Sequence, residues 1–294
     1  MTNKVFDMID SKLIQVEKLE KKYLDKFYHF LMFAKEDLFE GFDTANAIRN
    51  DWSEGWKAKG SFDKGAERIV YSFFNTQGFG AHNSTPVASD LFFQTEDAFI
   101  HIDLKTISST NYGDASGKYD IEQNQSSYPG PKFKPNLPPY YTVGGKTKPC
   151  LTYFIVIIYE KDDFSVPCMY ISCMPNGSLR TIYGDRIISR GKAKGKNARY
   201  TWKDSQYFEL LNNFEEQPKR IRMIHYDDRD NETNIRCEIC DDKGRVLGRK
   251  KKKGALVTCK RCDGTKIKTA HYLKNNLAFL KEIYDLDGLS EQNI

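Results

Sequence analysis

A central mixed β-sheet flanked by helices, in the α/β (α+β) class, with a small cysteine-bearing module near the C-terminal end, is the fold that three features of the sequence predict. The first 40 residues contain neither Gly nor Pro and carry apolar side chains at helical spacing. Short apolar runs then recur at Ala88 to Phe93, Ala98 to Lys105, Leu151 to Tyr159 and Met169 to Met174, each of strand length. Two Cys-x2-Cys pairs follow, at Cys237/Cys240 and Cys259/Cys262. The organisation expected is an N-terminal helical segment over 1–60, a main domain over 61–230 and the cysteine module with a closing helix over 231–294.

With 294 residues, 39% of them hydrophobic, and 19 Phe and 17 Tyr, the chain can build a sizeable core. No apolar run approaches the span of a bilayer, and the N-terminus lacks the charged-then-apolar layout of a secretory signal, so a soluble cytoplasmic protein is expected. In a reducing compartment the two Cys-x2-Cys pairs favour metal ligation over disulfides, and Cys150, Cys168 and Cys173 read as buried thiols. The net charge of +5 is unevenly spread. Between Arg236 and Lys268 stand twelve Lys+Arg against four Asp+Glu, which leaves the remainder of the chain about −3. Such a local surplus suits a polyanion, although an anionic membrane surface would attract it too.

In chain order, Phe6, Ile9, Leu13, Val16, Tyr23, Phe27 and Phe30 recur every three or four residues, with Glu20 the one polar exception. The pattern predicts an amphipathic helix over the first 40 residues, its stripe meeting either the main domain or a second copy of the chain. A second helix is expected from Asp63 to Asn75. Glu67 in its first turns is either a further metal carboxylate or an ordinary helix-start glutamate. Ser108 to Tyr141 reads as a long polar loop with little core of its own, in which Asp120, Gln123, Asn124 and Gln125 either read base edges or face water. Leu151 to Tyr159 reads as a central strand buried on both faces, and Met169 to Met174 as its neighbour, stopped by Pro175-Asn176-Gly177. Arg186 to Lys203 carries seven basic residues and no acid, among them Arg186, Arg190, Lys192, Lys194, Lys196 and Arg199. It is either a flexible arm for phosphate contact or a solvated basic loop. A helix over Tyr207 to Phe214, a strand over Arg220 to Tyr226 and an acidic linker at Asp227 to Glu232 precede the cysteine module.

The most informative stretch is Pro86 to Thr106, read as a hairpin. Strand side chains alternate, so Phe99, His101, Asp103 and Lys105 share one face and Ile100, Ile102 and Leu104 the other. A two-residue loop at Thr95 and Glu96 would set Asp90 across from His101 and diagonal to Asp103, with Cβ atoms roughly 7 Å or less apart. Both carboxylates could then reach one cation, with Lys105 beside them. A one-residue slip would send Asp90 to the opposite face. Acids and lysines are common on half-exposed strands, but inside apolar strand sequence an unpaired charge is costly unless a metal or partner compensates. In the cysteine module, the paired spacing is that of a zinc ribbon with Cys237, Cys240, Cys259 and Cys262 closing a tetrahedral Zn²⁺ site. The segment between the pairs suits a hairpin whose tip bears Arg249, Lys250, Lys251, Lys252 and Lys253. Such a ribbon can serve only to hold the fold together; the expectation here is both roles, with zinc stabilising the module and the lysine tip touching DNA.

Ser89-Asp90 followed by Ile102-Asp103-Leu104-Lys105 resembles the active-site motif of the PD-(D/E)xK nuclease superfamily, with Ser89 in place of the usual proline. The stretch from Asp90 to Gly177 further resembles the BglI-like branch of type II restriction endonucleases. The resemblance rests on Tyr119-Asp120, the Leu137 to Tyr141 segment, the long apolar strand and the Pro175 to Gly177 turn. It implies a restriction-endonuclease-like core and Mg²⁺-dependent, sequence-specific hydrolysis of double-stranded DNA by a homodimer, in a bacterial or archaeal cytoplasm. Asp90, Asp103 and the Leu104 carbonyl would bind Mg²⁺, Lys105 would hold the attacking water, and Asp120 would contact a base. The alternatives are a non-catalytic zinc-ribbon protein that binds nucleic acid, or a repair or modification-dependent nuclease of the same fold.

Overall fold

The computed structural model describes residues 11–43, 62–76, 90–109, 111, 118–160, 165–185, 187–190, 198–201, 220–227, 234–236, 243, 245–247, 255–258 and 267–269. The expected helix at 207–214, the closing helix and the four cysteines of the Cys-x2-Cys pairs lie outside them. The chain divides into two compact units at Asp227/Asp228.

The larger unit is built on one mixed sheet. Its strands are β1 (Leu91–Gln94), β2 (Phe99–Ser108), β5 (Lys146–Tyr159), β6 (Cys168–Met174) and β9 (Ile221–Tyr226), in that order, with β4 (Tyr140–Val143) pairing the early part of β5. The β2–β5 pair is parallel, and β1–β2, β5–β6 and β6–β9 are antiparallel. The long apolar run becomes the middle strand, as expected: every residue from Cys150 to Ile158 is buried. Such a run tolerates no solvent-facing side because both of its faces are covered.

One face of the sheet receives the helices α1 (Ser11–Phe33), α2 (Lys35–Asp43) and α3 (Phe62–Thr76). Residues 1–10 of the helix expected over the first 40 residues lie outside the described ones; the rest is carried through Ala34, since Ala34 N–H donates to the Phe30 carbonyl and Leu38 N–H to the Ala34 carbonyl. Its apolar stripe is buried within the chain. Phe27 meets Tyr153 edge-on at 5.4 Å, and Phe74 of α3 and Phe93 of β1 lie within 6.5 Å of it. Each such aromatic, fully buried, contributes about 2–3 kcal/mol of burial free energy.

Glu20 is no exception to that stripe. Arg220, fully buried at the start of β9, pairs with Glu20 at 2.6 Å and with Glu17 at 2.8 Å, and its guanidinium lies over the Tyr183 ring. Asn176 N–H also donates to Glu20, and Tyr183 O–H to Glu17. Two carboxylates therefore occupy core positions on α1 because a buried cation and two neutral donors meet them.

Two stretches expected to be loops contain regular structure among their described residues. Residues 108–141 carry β3 (Lys118–Ile121), a 3-10 turn over Gln123–Gln125, and the buried side chains Ile121, Tyr128, Phe133 and Leu137. The Arg186 to Lys203 stretch is not one continuous loop. Strands β7 (Ile188–Arg190) and β8 (Ala198–Thr201) pair with each other, and β8 pairs with β3, with Asp120 opposite Arg199. The short helix α4 (Arg180–Tyr183) precedes β7. Arg186, Lys192, Lys194 and Lys196 fall outside the described residues, while Arg190 and Arg199 are placed by their backbone only.

The smaller unit contains two antiparallel pairs. Strand β10 (Asn234–Arg236) pairs β13 (Ile267–Thr269), and β11 (Arg245–Leu247) pairs β12 (Leu256–Thr258). The tip residues Arg249 and Lys250 to Lys253, between β11 and β12, are outside the described set.

Candidate active site

The face of the sheet opposite the helices carries the chemistry. In the hairpin, Leu91 pairs Ile102, Phe92 pairs His101 and Gln94 pairs Phe99, leaving Thr95 to Ala98 as a four-residue loop. The expected two-residue loop is therefore corrected, and the register moves by two. Asp90 faces Asp103 rather than His101. Because strand side chains alternate with a period of two, the shift keeps Asp90 on the Asp103 face. The loop length follows from closure by Thr95, whose N–H and hydroxyl both bond Ala98, and from Asp97, which accepts from Lys22 and Tyr23 of α1.

Asp90 stands just past the end of β1, where its carboxylate replaces the missing strand partner. Its Oδ2 accepts the Leu104 N–H at 2.7 Å. In an extended strand the N–H and C=O of one residue point to the same edge, so the Leu104 carbonyl is directed toward the Asp90 side as well. Tyr71 of α3 hydrogen-bonds Asp90, and burial, followed by the charge of Asp90, pushes the Tyr71 phenol well above its ordinary range. Glu67, one turn earlier on the helix and half-buried, adds to that push.

Asp103 is 3% exposed. Its Oδ2 lies 2.6 Å from Lys105 Nζ, though outside hydrogen-bond geometry, and its Oδ1 accepts from Gln125 Nε2 at 2.7 Å. Burial pushes its pKa up to about 7; Lys105 works against the rise, and the neighbouring Asp90 adds to it through both charge and a shared hydrogen bond. Lys105 donates in turn to Gln125 Oε1 at 2.9 Å and lies over the Phe154 ring at 5.7 Å. Asp120 of β3 feels the Lys105 charge, which opposes the rise in its pKa caused by burial. His101, two residues before Asp103, is buried against Phe92, and burial drops its pKa to about 4, so it is neutral.

The arrangement brings together Asp90, Asp103, Leu104 and Lys105, with Asp120 near. It redirects two of the candidate base readers. Gln125 binds Asp103 and Lys105, and Asn124 Oδ1 accepts from Asn136 Nδ2 within its own loop. Tyr71 was not singled out from sequence, because in DKGAERIVYSFFN it reads as one more core aromatic; its position four residues after Glu67 is the only trace of its role.

The donor set fits a hard divalent cation. Two carboxylates are forced together, and a carbonyl points to the same edge. Among the described residues no three of His, Cys, Asp and Glu converge on one point. No helix among the described residues is long and apolar enough to cross a membrane.

Comparison with known proteins bears on the fold and the family. The structure is similar to that of the restriction endonuclease BglI bound to its DNA recognition sequence, with a TM-score of 0.54 and 18% identity, covering 71% of this chain and 90% of that one. It is similar too to the tetrameric restriction endonuclease SfiI bound to cognate DNA, with a TM-score of 0.53 and 13% identity, covering 86% and 96%. At such identities the likeness establishes the fold. A search of curated protein sequences gives no match. Residues 12–163 match the N-terminal domain model of type II restriction enzyme MwoI, and residues 167–226 match its central domain model. Since the two models together take in the acidic hairpin, the helices behind it and the strands through β9, this chain belongs to the MwoI family of type II restriction enzymes.

Proposed function

We propose that this restriction enzyme cuts duplex DNA at a specific sequence by Mg²⁺-dependent PD-(D/E)xK chemistry. The observation that carries the reading is the convergence of Asp90, Asp103 and Lys105 on one edge of β2. Asp90, Asp103 and the Leu104 carbonyl would hold the cation. When bound, it supplies a Lewis acid that acidifies water and offsets the charge gathering on the phosphate. Lys105 aligns the attacking water and stabilises the negative charge on the scissile phosphate as the leaving oxygen departs. Phe154 beneath Lys105 restricts where the ammonium can go. Asp120 on β3, close to this centre, contacts a base, and the β7–β8 hairpin with Arg190 and Arg199 follows the backbone.

Two further parts belong to the same reading. Cys237, Cys240, Cys259 and Cys262 bind a structural Zn²⁺. In support, the β10–β13 and β11–β12 pairs bracket residues 237–244 and 259–266, and each segment contains one Cys-x2-Cys pair. The chain acts as a homodimer, so that two centres address two strands of a symmetric site. Among the described residues, the α1 stripe from Val16 to Leu31 is buried.

The test is digestion of phage DNA with Mg²⁺ or with EDTA, sequencing of the ends, and the same digest with Asp90→Ala and Lys105→Ala. Discrete fragments sharing one end sequence, lost in EDTA and in both variants, are expected. Full cutting by either variant would show that the residues are wrongly assigned. Metal analysis should give one zinc per chain, and sedimentation should give twice the chain mass.

A further inference from the structure

Gln125, expected either to read a base edge or to face water, instead carries three side-chain hydrogen bonds at the centre of the site. Its Oε1 accepts from Lys105 Nζ at 2.9 Å and from Glu122 N–H at 3.0 Å, and its Nε2 donates to Asp103 Oδ1 at 2.7 Å. The orientation of the amide is dictated by these partners. Turned over, it would aim N–H groups at an ammonium and a backbone N–H, and an oxygen at a carboxylate. The Glu122 bond belongs to a reciprocal cap of the 3-10 turn, so the amide cannot move without the turn moving. The turn in turn is held by Asn136, which bonds both Gln123 and Asn124, and it directly follows β3, the strand that carries Asp120.

We propose that Gln125 is a positioning residue that latches the catalytic pair: its amide holds Asp103 and Lys105 in the DNA-free chain and ties them to the recognition segment ending in the turn. The proposal rests on the nuclease reading of Asp103 and Lys105. Two consequences follow from the contacts. While Gln125 Nε2 occupies Asp103 Oδ1, and Lys105 stands at Oδ2, neither oxygen of this acid is open to a cation without displacing a partner. The amide oxygen also takes one of the three ammonium protons, and thereby fixes the direction left for water and phosphate. Displacement of β3 on DNA would pull on the amide, so that site recognition and release of Asp103 are one motion.

The experiment compares Gln125→Ala and Gln125→Glu with the full wild-type chain. Gln125→Glu keeps an oxygen for Lys105 and Glu122 but has no donor for Asp103; Gln125→Ala removes every contact. Binding of Mn²⁺ to the DNA-free protein is read by electron paramagnetic resonance, binding of a cognate duplex in Ca²⁺ by fluorescence anisotropy, and cutting by single-turnover kinetics. Expected are a threefold or greater gain in Mn²⁺ affinity in both variants, a duplex dissociation constant within threefold of wild type, and a cutting rate at least tenfold lower in both. If the residue only caps the turn, Gln125→Glu behaves as wild type in all three, and the proposal is overturned. An unchanged Mn²⁺ affinity in both variants overturns it equally. If wild type cuts no DNA at all, the nuclease reading fails by itself, and the Mn²⁺ measurement still decides whether the amide restrains Asp103.

Discussion

Replacing Asp103 with asparagine should make the metal-free protein more stable while ending its activity. Asp103 is almost wholly buried, and its pKa rises from 3.8 to about 7 mainly through burial, with Asp90 adding to the effect. The unfolded chain ionises near 3.8 and the folded chain near 7, so folding disfavours the charge. The resulting penalty is absent below about pH 4, grows as pH rises from about 4 to 7, and is constant above. At about 1.4 kcal/mol for each pH unit, it amounts to about 4 kcal/mol at most. The asparagine side chain keeps an oxygen for Gln125 and carries no charge, so Asp103→Asn should gain about 2–4 kcal/mol at about pH 8 in EDTA. Near pH 4 the two proteins should be alike. Urea unfolding at both pH values, with and without about 10-fold excess Mg²⁺ over its half-saturating level, measures this. Wild type should be stabilised by Mg²⁺ and the variant should not. Equal stability at the higher pH, or a gap that widens toward acid, would refute the argument.

Three other outcomes are expected. Glu20→Ala leaves the fully buried Arg220 short of a carboxylate and Asn176 N–H without its acceptor, and should cost about 3–5 kcal/mol in urea unfolding; a loss below about 1 kcal/mol would count against the cluster. Gly177→Ala puts a Cβ 2.2 Å from the Ser127 carbonyl oxygen, a backbone atom that cannot swing aside, so its thermal midpoint should fall by an amount equivalent to about 1–3 kcal/mol. His101 is held neutral, with a folded pKa of about 4 against 6.5 unfolded, so acid costs stability as the pH falls from 6.5 to about 4. Relative to wild type, His101→Leu should gain about 3 kcal/mol across that range, seen as a difference between the two pH–stability curves.

The sheet was legible where one physical effect dominates. Leu151 to Tyr159 has no polar residue but Thr152 apart from its tyrosines, and burial on both faces is what such a run requires. The acidic pair was legible through parity alone: the hairpin loop came out two residues longer than expected, and only the even shift preserved the shared face. The true loop length depends on Asp97 meeting Lys22 and Tyr23, residues some 75 positions away, which no local pattern carries. Gln125 was found for the wrong reason, because an amide that can read a base edge has the same donors and acceptors as one that grips a carboxylate and an ammonium. Residues 118–137 looked like open loop because their buried side chains, Ile121, Tyr128, Phe133 and Leu137, follow no helical or strand period.

The capping of β2 by Asp90 has a mechanical consequence. Asp103 sits in a strand paired to β5 along ten residues, a rigid jaw. Asp90 lies beyond the end of a four-residue strand and is held by one amide of β2 and by a phenol from α3. The two acids that meet at one point thus answer to different parts of the molecule. A disturbance of the helical layer reaches the site through Tyr71 and moves Asp90, whereas a disturbance of the 3-10 turn reaches it through Gln125 and moves Asp103. The centre works as a vice whose jaws are adjusted from opposite faces of the sheet.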